Sequence, residues 1–298
     1  MFRPLARLRT LPERIRFRLF PRIAAARLNV ATRKARRDMA GREPLRVLLD
    51  NTVFDLAVTH ETRWITTGIS NWGNQPMATG YAARVPVYGR KNKSERYRQV
   101  TYLTGLTHLA RLGLIEFCKS AELSDEQFRQ PMGRFRGYGY FDYSLLSGIK
   151  IESVDGWVFP TLGPKWMNLP SAAEQQRTRL RKSDDRLFHD LYALLKQQLG
   201  EKCTQDAWHI RTAERHNSFC FLTTDGPLLK ACKSLAKKEP LRSIRVRVMT
   251  PEDLAQHLGV APVPSHLLSY NDASWFVRMD HTMPEERRRR VGEYRQSK

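Results

Sequence analysis

The chain has 298 residues, with 51 Lys and Arg against 30 Asp and Glu, a formal net charge of +21. This length is enough to bury a core in one large or two ordinary domains. No run of about 18 apolar residues occurs, which argues against a transmembrane helix, and the basic excess predicts a polyanionic partner such as RNA, DNA or an anionic membrane.

Residues 1–44 are rich in arginine and poor in acidic residues. This composition predicts a basic N-terminal arm or helical extension that contacts nucleic acid. Two alternatives stay open: a helix packed on the body with a solvated basic face, and an organelle transit peptide, which has the same composition. At the other end, residues 260–298 finish in a second basic stretch, which predicts a disordered tail.

The run from Leu45 to Leu49 is short and apolar and leads into Asp50, a pattern typical of a buried strand in a parallel sheet. A helix is expected to follow, capped by Asp50 or Asn51. Residues 60–92 are rich in Gly, Pro and Asn. They are interpreted as an insertion or a hairpin.

Residues 93–112 place leucines on one helical face, and Gly113 is expected to end that helix. Residues 114–118 are a second strand candidate, followed by a turn and a helix start at 120–128. A second insertion is expected at about 131–170, with strand-like pieces that include residues 156–160.

Within the second insertion, Arg134 and Arg136 alternate with aromatic residues that include Tyr138 and Tyr140. Arginines and aromatics on a glycine-rich loop are suited to stacking on unpaired bases. The alternative is a β-hairpin whose aromatic side chains pack on the body. On the first interpretation, these four residues would bind nucleic acid.

In the second half of the chain, residues 183–185 are expected to cap a long helix with apolar residues at helical spacing. Gly200 would end it, and Thr204 is the expected N-cap of the next helix. Two further strand–helix units are expected, with strands at 219–223 and 244–249. The alternation of strands and helices favours an α/β fold with a mostly parallel sheet and helices on both faces.

Acidic residues stand at the corners of these units. Asp50 and Asp225 each follow a strand, and Asp206 lies in the first turn of a helix. Each acid has a structural explanation, as an N-cap or through the helix dipole. Together at one edge of a sheet they would repel one another unless a cation neutralised them, and carboxylate oxygens favour Mg²⁺ or Mn²⁺. His209, one turn beyond Asp206, is expected to be a packing or hydrogen-bonding histidine.

Four segments, VLLDNTVF, SAELSDE, QDAWHIRTAERHNSFCFLTTD and VRVMTPEDL, resemble the PIN-domain nuclease family in residue type and order. The resemblance spans roughly residues 45–258, so that a PIN-like domain is expected over 45–259 with the two insertions. It implies a three-layer α/β/α sandwich and metal-dependent endonucleolytic hydrolysis of RNA.

By this resemblance, Asp50, Glu126, Asp206 and Asp225 would form the catalytic acidic site and hold Mg²⁺ or Mn²⁺. Glu122 and Asp125 are alternatives to Glu126. Asn51 and Thr223 correspond to polar positions that would orient the carboxylates.

Other functions stay open. The alternatives are a non-cleaving RNA-binding scaffold in a larger assembly, a toxin or defence nuclease inhibited by a partner protein, and a DNA-directed nuclease. The four cysteines form no CxxC pair, which predicts reduced, buried thiols in a cytoplasmic protein. An organellar location is the alternative if residues 1–44 are a transit peptide.

Overall fold

The computed structural model describes residues 19–88, 92–129, 143–265 and 267. In chain order the helices and strands are α1 (19–31), α2 (Arg33–Met39), β1 (Leu45–Leu49), α3 (Asn51–Ala57), β2 (Val58–Trp72), β3 (Gln75–Pro86), α4 (Glu95–Arg111), β4 (Ile115–Lys119), α5 (Ala121–Arg129), β5 (Tyr143–Ser144), β6 (Glu152–Ser153), α6 (Ala172–Arg181), α7 (Arg186–Leu199), α8 (Thr204–Arg215), β7 (Cys220–Leu222), α9 (Gly226–Leu235), β8 (Arg247–Met249) and α10 (Pro251–Leu258). None of the helices in these ranges is long and apolar enough to cross a membrane.

Five strands form a parallel sheet in the order β6–β4–β1–β7–β8. β1 lies at the centre, where Leu48 is the register partner of Cys118 on one side and Phe221 on the other. Because all five strands run the same way, their carboxyl ends meet at one edge, which is where ligands bind in sheets of this kind.

The side chains of the sheet alternate between two hydrophobic cores, as the period of a strand requires. Val47 and Leu49 face a core built with α3, α4 and α10, whereas Leu48 faces a core built with α7, α8 and α9. Helices therefore cover both faces of the sheet. The predicted α/β fold with a parallel sheet is confirmed, and its layering is helix, sheet, helix.

The first insertion contains a long antiparallel hairpin, as expected. β2 and β3 are in register from the His60–Pro86 pair to the Trp72–Gln75 pair, and β5 adds a third strand beside β2. The first strand of this second sheet, β2, directly follows α3, the helix that Asp50 caps.

The described part of the N-terminal arm packs on the domain. Ala24 and Leu28 of α1 are buried, and α2 contributes Ala35 to the core on one face of the sheet. The segment after α10 runs beside α1, since the Ala261 amide donates to the Ala31 carbonyl at 3.0 Å. The described parts of the two flanking segments thus pack on the domain expected over 45–259, and residues 1–18 lie outside the described residues.

Several local expectations were wrong. Residues 156–160 form no strand. Pro160 has no N–H group that could donate a hydrogen bond to a neighbouring strand. Strand β8 begins only at Arg247, because the Arg245 and Val246 amides donate to Glu214 Oε2 at 2.9 and 2.8 Å. Thr204 is the first helical residue and not the N-cap of α8, and its hydroxyl donates to the Glu201 carbonyl at 3.0 Å. Helix α6 was not expected at all.

The four cysteines are free thiols, as predicted, and three of them are buried. Burial raises the pKa of Cys203 to about 11 and that of Cys118 to about 12. Thiols with such pKa values are protonated at neutral pH and serve as core side chains.

A candidate acidic site at the carboxyl edge of the sheet

Asp50 lies at the centre of the carboxyl edge, directly after β1, and is only 7% exposed. Its Oδ1 accepts the Asn51 amide at 2.7 Å, which caps α3. Its Oδ2 accepts the hydroxyls of Thr52 at 2.6 Å and Thr223 at 2.7 Å. Three donors therefore satisfy a buried carboxylate and hold it in one orientation.

Thr223 joins the ends of two neighbouring strands. It follows β7, is fully buried, and donates to Asp50 while accepting the Asp225 amide at 3.0 Å. A second bond between the same corners runs from the Thr224 amide to the Thr52 hydroxyl at 3.0 Å. The orienting position predicted for Thr223 thus contacts Asp50 directly. At Asn51, the corresponding contact is made by the backbone amide.

Asp225 opens α9 as an N-cap, as expected, because its Oδ1 accepts the Leu228 amide at 2.9 Å. The carboxylate is half-buried. It lies two residues beyond Thr223, at the carboxyl end of β7. The hydrogen bond to the helix therefore fixes a second carboxylate beside Asp50.

Asp206 lies half-buried in the first turn of α8, and its pKa reports the charges of the other predicted acids. Burial, and then the carboxylates of Asp50, Asp225 and Glu126, raise its pKa from 3.8 to about 7. Like charges raise a carboxyl pKa only at short range. Asp206 therefore experiences the charges of the other three predicted acids, although the four come from separate elements.

Helix α5 carries three acids, and its two other carboxylates have a different partner. Arg179 of α6 contacts Glu122 Oε2 at 2.9 Å and Asp125 Oδ2 at 3.4 Å. Both of these acids are buried, whereas Glu126 is half-buried and acts on Asp206. Among the three alternatives, Glu126 is the one whose charge acts on the acidic site.

Three polar residues at this edge were not singled out from the sequence: Thr52, Ser120 and Asp155. Asp155 follows the two-residue strand β6, and its Oδ1 accepts the Ala121 amide at 2.6 Å at the start of α5. Its only sequence signal is an acid after the short segment IESV, a pattern too common to select it.

His209 is 2% exposed, and its Nδ1 lies 2.9 Å from the Ser120 hydroxyl. Burial lowers the pKa of this imidazole, while the carboxylates of Asp50 and Asp155 oppose that change. The histidine is hydrogen-bonded inside the protein, as expected, and joins α8 to the end of β4. It thereby helps to hold the helix that carries Asp206.

The donor set suits a divalent cation in its chemistry. Four carboxylates offer hard oxygen ligands, and a bound cation would offset both the burial and the repulsion that raise the pKa of Asp206. In the part of the chain that the structure describes, no group of three His, Cys, Asp or Glu residues is arranged closely enough to form a ready metal site.

The predicted nucleic-acid-binding residues of the second insertion, Arg134, Arg136, Tyr138 and Tyr140, lie outside the described residues. Comparison of the chain with protein-family models, with curated proteins and with solved structures finds no match. The function of the protein has to be inferred from its own residues and their arrangement.

Proposed function

We propose that the protein is a PIN-like endoribonuclease that uses Mg²⁺ or Mn²⁺ to hydrolyse phosphodiester bonds in RNA. One observation carries the proposal: burial, and then the charges of Asp50, Asp225 and Glu126, raise the pKa of Asp206 to about 7. Acids gathered at the carboxyl edge of a parallel sheet, on a chain with a net charge of +21, suit a cation and a polyanion better than a neutral ligand.

In this proposal Asp50, Glu126 and Asp206 hold the divalent ion, and Asp225 completes the acidic pocket. When bound, such an ion activates a water molecule and neutralises charge that develops at the phosphate. Thr52 and Thr223 keep the Asp50 carboxylate oriented through their hydroxyls. Asp206, with a pKa of about 7, releases a proton when it takes up its role as a ligand.

The basic excess serves the proposal by attracting the phosphates of the substrate. Such contacts give an affinity that falls with salt and depends little on base sequence. They attract RNA and DNA alike, so that the preference for RNA rests on the resemblance to PIN-domain nucleases.

The test is a cleavage assay with purified full-length protein, labelled RNA or DNA of the same sequence, and Mg²⁺, Mn²⁺ or a chelator. We expect metal-dependent cleavage of RNA. The variants Asp50→Asn and Asp206→Asn should lose cleavage and retain binding, because they remove ligand charge without disturbing basic residues. Asp184→Asn, which changes an exposed acid, is the matched control. Unchanged cleavage by both site variants would contradict the proposal.

A non-cleaving RNA-binding protein with the same fold is the second candidate. It is favoured by the lack, among the described residues, of three potential ligands in a ready arrangement. Tight RNA binding without turnover in any metal would support it, and cleavage of DNA alone would instead support a DNA-directed nuclease. A toxin or defence role predicts growth arrest on expression that Asp206→Asn relieves.

A further inference from the structure

The loop between β6 and α6 displays large aromatic side chains to solvent. In this aromatic loop, residues 154–170, Trp157 is 76% exposed, Phe159 82% and Trp166 79%. Leu162 is also exposed, at 64%. Exposed apolar side chains grouped in one segment are typical of surfaces that bind a partner or ligand.

The loop is held in a defined conformation by one side chain of α6. Gln175 Nε2 donates to the carbonyls of Thr161 and Pro170, each at 2.8 Å, and its Oε1 accepts the Thr161 amide at 2.8 Å. A Cβ at Gly163 would lie 2.8 Å from Met167 Sδ, so the backbone turns tightly there. The aromatic rings are therefore presented from a fixed backbone, which lowers the entropic cost of binding.

Both ends of the aromatic loop are attached to elements of the acidic site. At the first end, Asp155 accepts the Ala121 amide of α5, the helix that carries Glu126. At the other end, α6 contacts two buried acids of the same helix through Arg179. A ligand on the aromatic loop would thus lie on the flank of the acidic site formed by α5 and α6.

The neighbouring helix surface is basic. Arg177, Arg181 and Lys182 of α6 and its C-cap are exposed, and Arg181 lies 3.8 Å from Glu201. The side chain of Arg186 at the start of α7 is 95% exposed and lies 4.0 Å from Asp190. Exposed aromatic rings beside arginine and lysine suit a strand that offers flat bases and phosphates together. This charge disfavours a second copy of the same cationic chain as the occupant.

We infer that the aromatic loop is a base-stacking platform for unpaired nucleotides of a single-stranded nucleic acid. Trp157, Phe159 and Trp166 bind the bases, while the basic residues of α6 bind the phosphates. The inference deepens the proposed function and rests on it for the identity of the polymer. On this inference, the residues of the aromatic loop, which lie outside the acidic site, give the protein its preference for unpaired over paired strands.

The experiment uses full-length protein carrying Asp206→Asn, so that no substrate is cut during a binding measurement. Affinity is measured for a single-stranded RNA, for the same RNA with abasic positions and for an RNA duplex. Replacing Trp157, Phe159 or Trp166 with Ala should weaken single-strand binding about 10-fold each and leave abasic binding unchanged. The salt dependence should stay the same because phosphate contacts remain. Leu162→Ala, in the same loop, is the non-aromatic control.

Equal affinities of the aromatic variants and the parent for single-stranded RNA would overturn the inference, as would an equal loss for abasic RNA. A shift from dimer to monomer in the aromatic variants, with unchanged RNA affinity, would identify the loop as a self-association surface instead. Because the readout is binding and not cleavage, an inactive acidic site leaves this inference intact, and a failed stacking test leaves the nuclease proposal intact.

Discussion

Replacing Asp206 with Asn should make the metal-free protein more stable. The carboxylate is half-buried, and burial, followed by the charges of Asp50, Asp225 and Glu126, raises its pKa from 3.8 to about 7. Between these two values the folded state binds more protons than the unfolded state, so the free energy of unfolding falls as the pH rises. An amide at this position carries no charge and removes this loss.

The size of the effect follows from the pKa. A change from 3.8 to about 7, at about 1.4 kcal/mol per pH unit, sets an upper bound on the order of 4 kcal/mol above neutral pH. Water at the half-buried side chain screens part of the repulsion, so we expect about 2 kcal/mol. For a domain of this size, that gain corresponds to an increase in melting temperature of about 4–8 °C.

The assay is thermal unfolding from about pH 4 to about pH 8 in the presence of a chelator. The advantage of Asp206→Asn over the natural chain should be small at the acidic end, grow with pH and level off above neutral pH. Asp184→Asn, which removes an exposed carboxylate, should show no such trend. An advantage that is absent, or that does not change with pH, would refute the raised pKa of Asp206.

Three further changes test contacts around the site. Thr223→Val removes a buried donor to Asp50 and should lower the free energy of unfolding by about 1–3 kcal/mol in urea, whereas Thr223→Ser should not. Arg179→Gln leaves two buried acids of α5 without their cation and should cost about 3–5 kcal/mol, more at neutral than at acidic pH. Gly105→Ala would place a Cβ 2.5 Å from Val260 Cγ1 and should cost about 1–3 kcal/mol, part of which Val260→Ala restores in the double variant. The first prediction fails if Thr223→Val and Thr223→Ser have the same free energy of unfolding. The second fails if the loss of stability in Arg179→Gln does not vary with pH. The third fails if the double variant is no more stable than Gly105→Ala.

The alternation of strands and helices was predictable because it is written in local patterns. A run such as Leu45–Leu49 is apolar throughout since it is buried on both faces of the sheet. The caps Asp50, Asp185 and Asp225 were recognisable because the side chain and the amide that it binds lie within three residues of each other. The acids at strand ends could be named for the same reason.

The contacts between segments that are distant along the chain could not be predicted from the sequence. Glu122, Asp125 and Glu126 occupy one helix and look equivalent in one dimension, but Arg179, more than fifty residues away, contacts the first two. The two-residue strand β6 has too short a pattern to be recognised and exists because it pairs with the end of β4. The packing of α1 against the segment after α10 likewise depends on a contact between distant residues, Ala31 and Ala261.

The amino-acid sequence by itself determined the α/β class, the positions of the caps and the identity of the acids, because each depends on neighbours a few residues apart. Only the tertiary structure decided which carboxylates share one electrostatic environment and which are held by an arginine. Repulsion and ion pairing depend on distance in space, and that distance is set by how α5, α6 and α8 pack at the edge of the sheet.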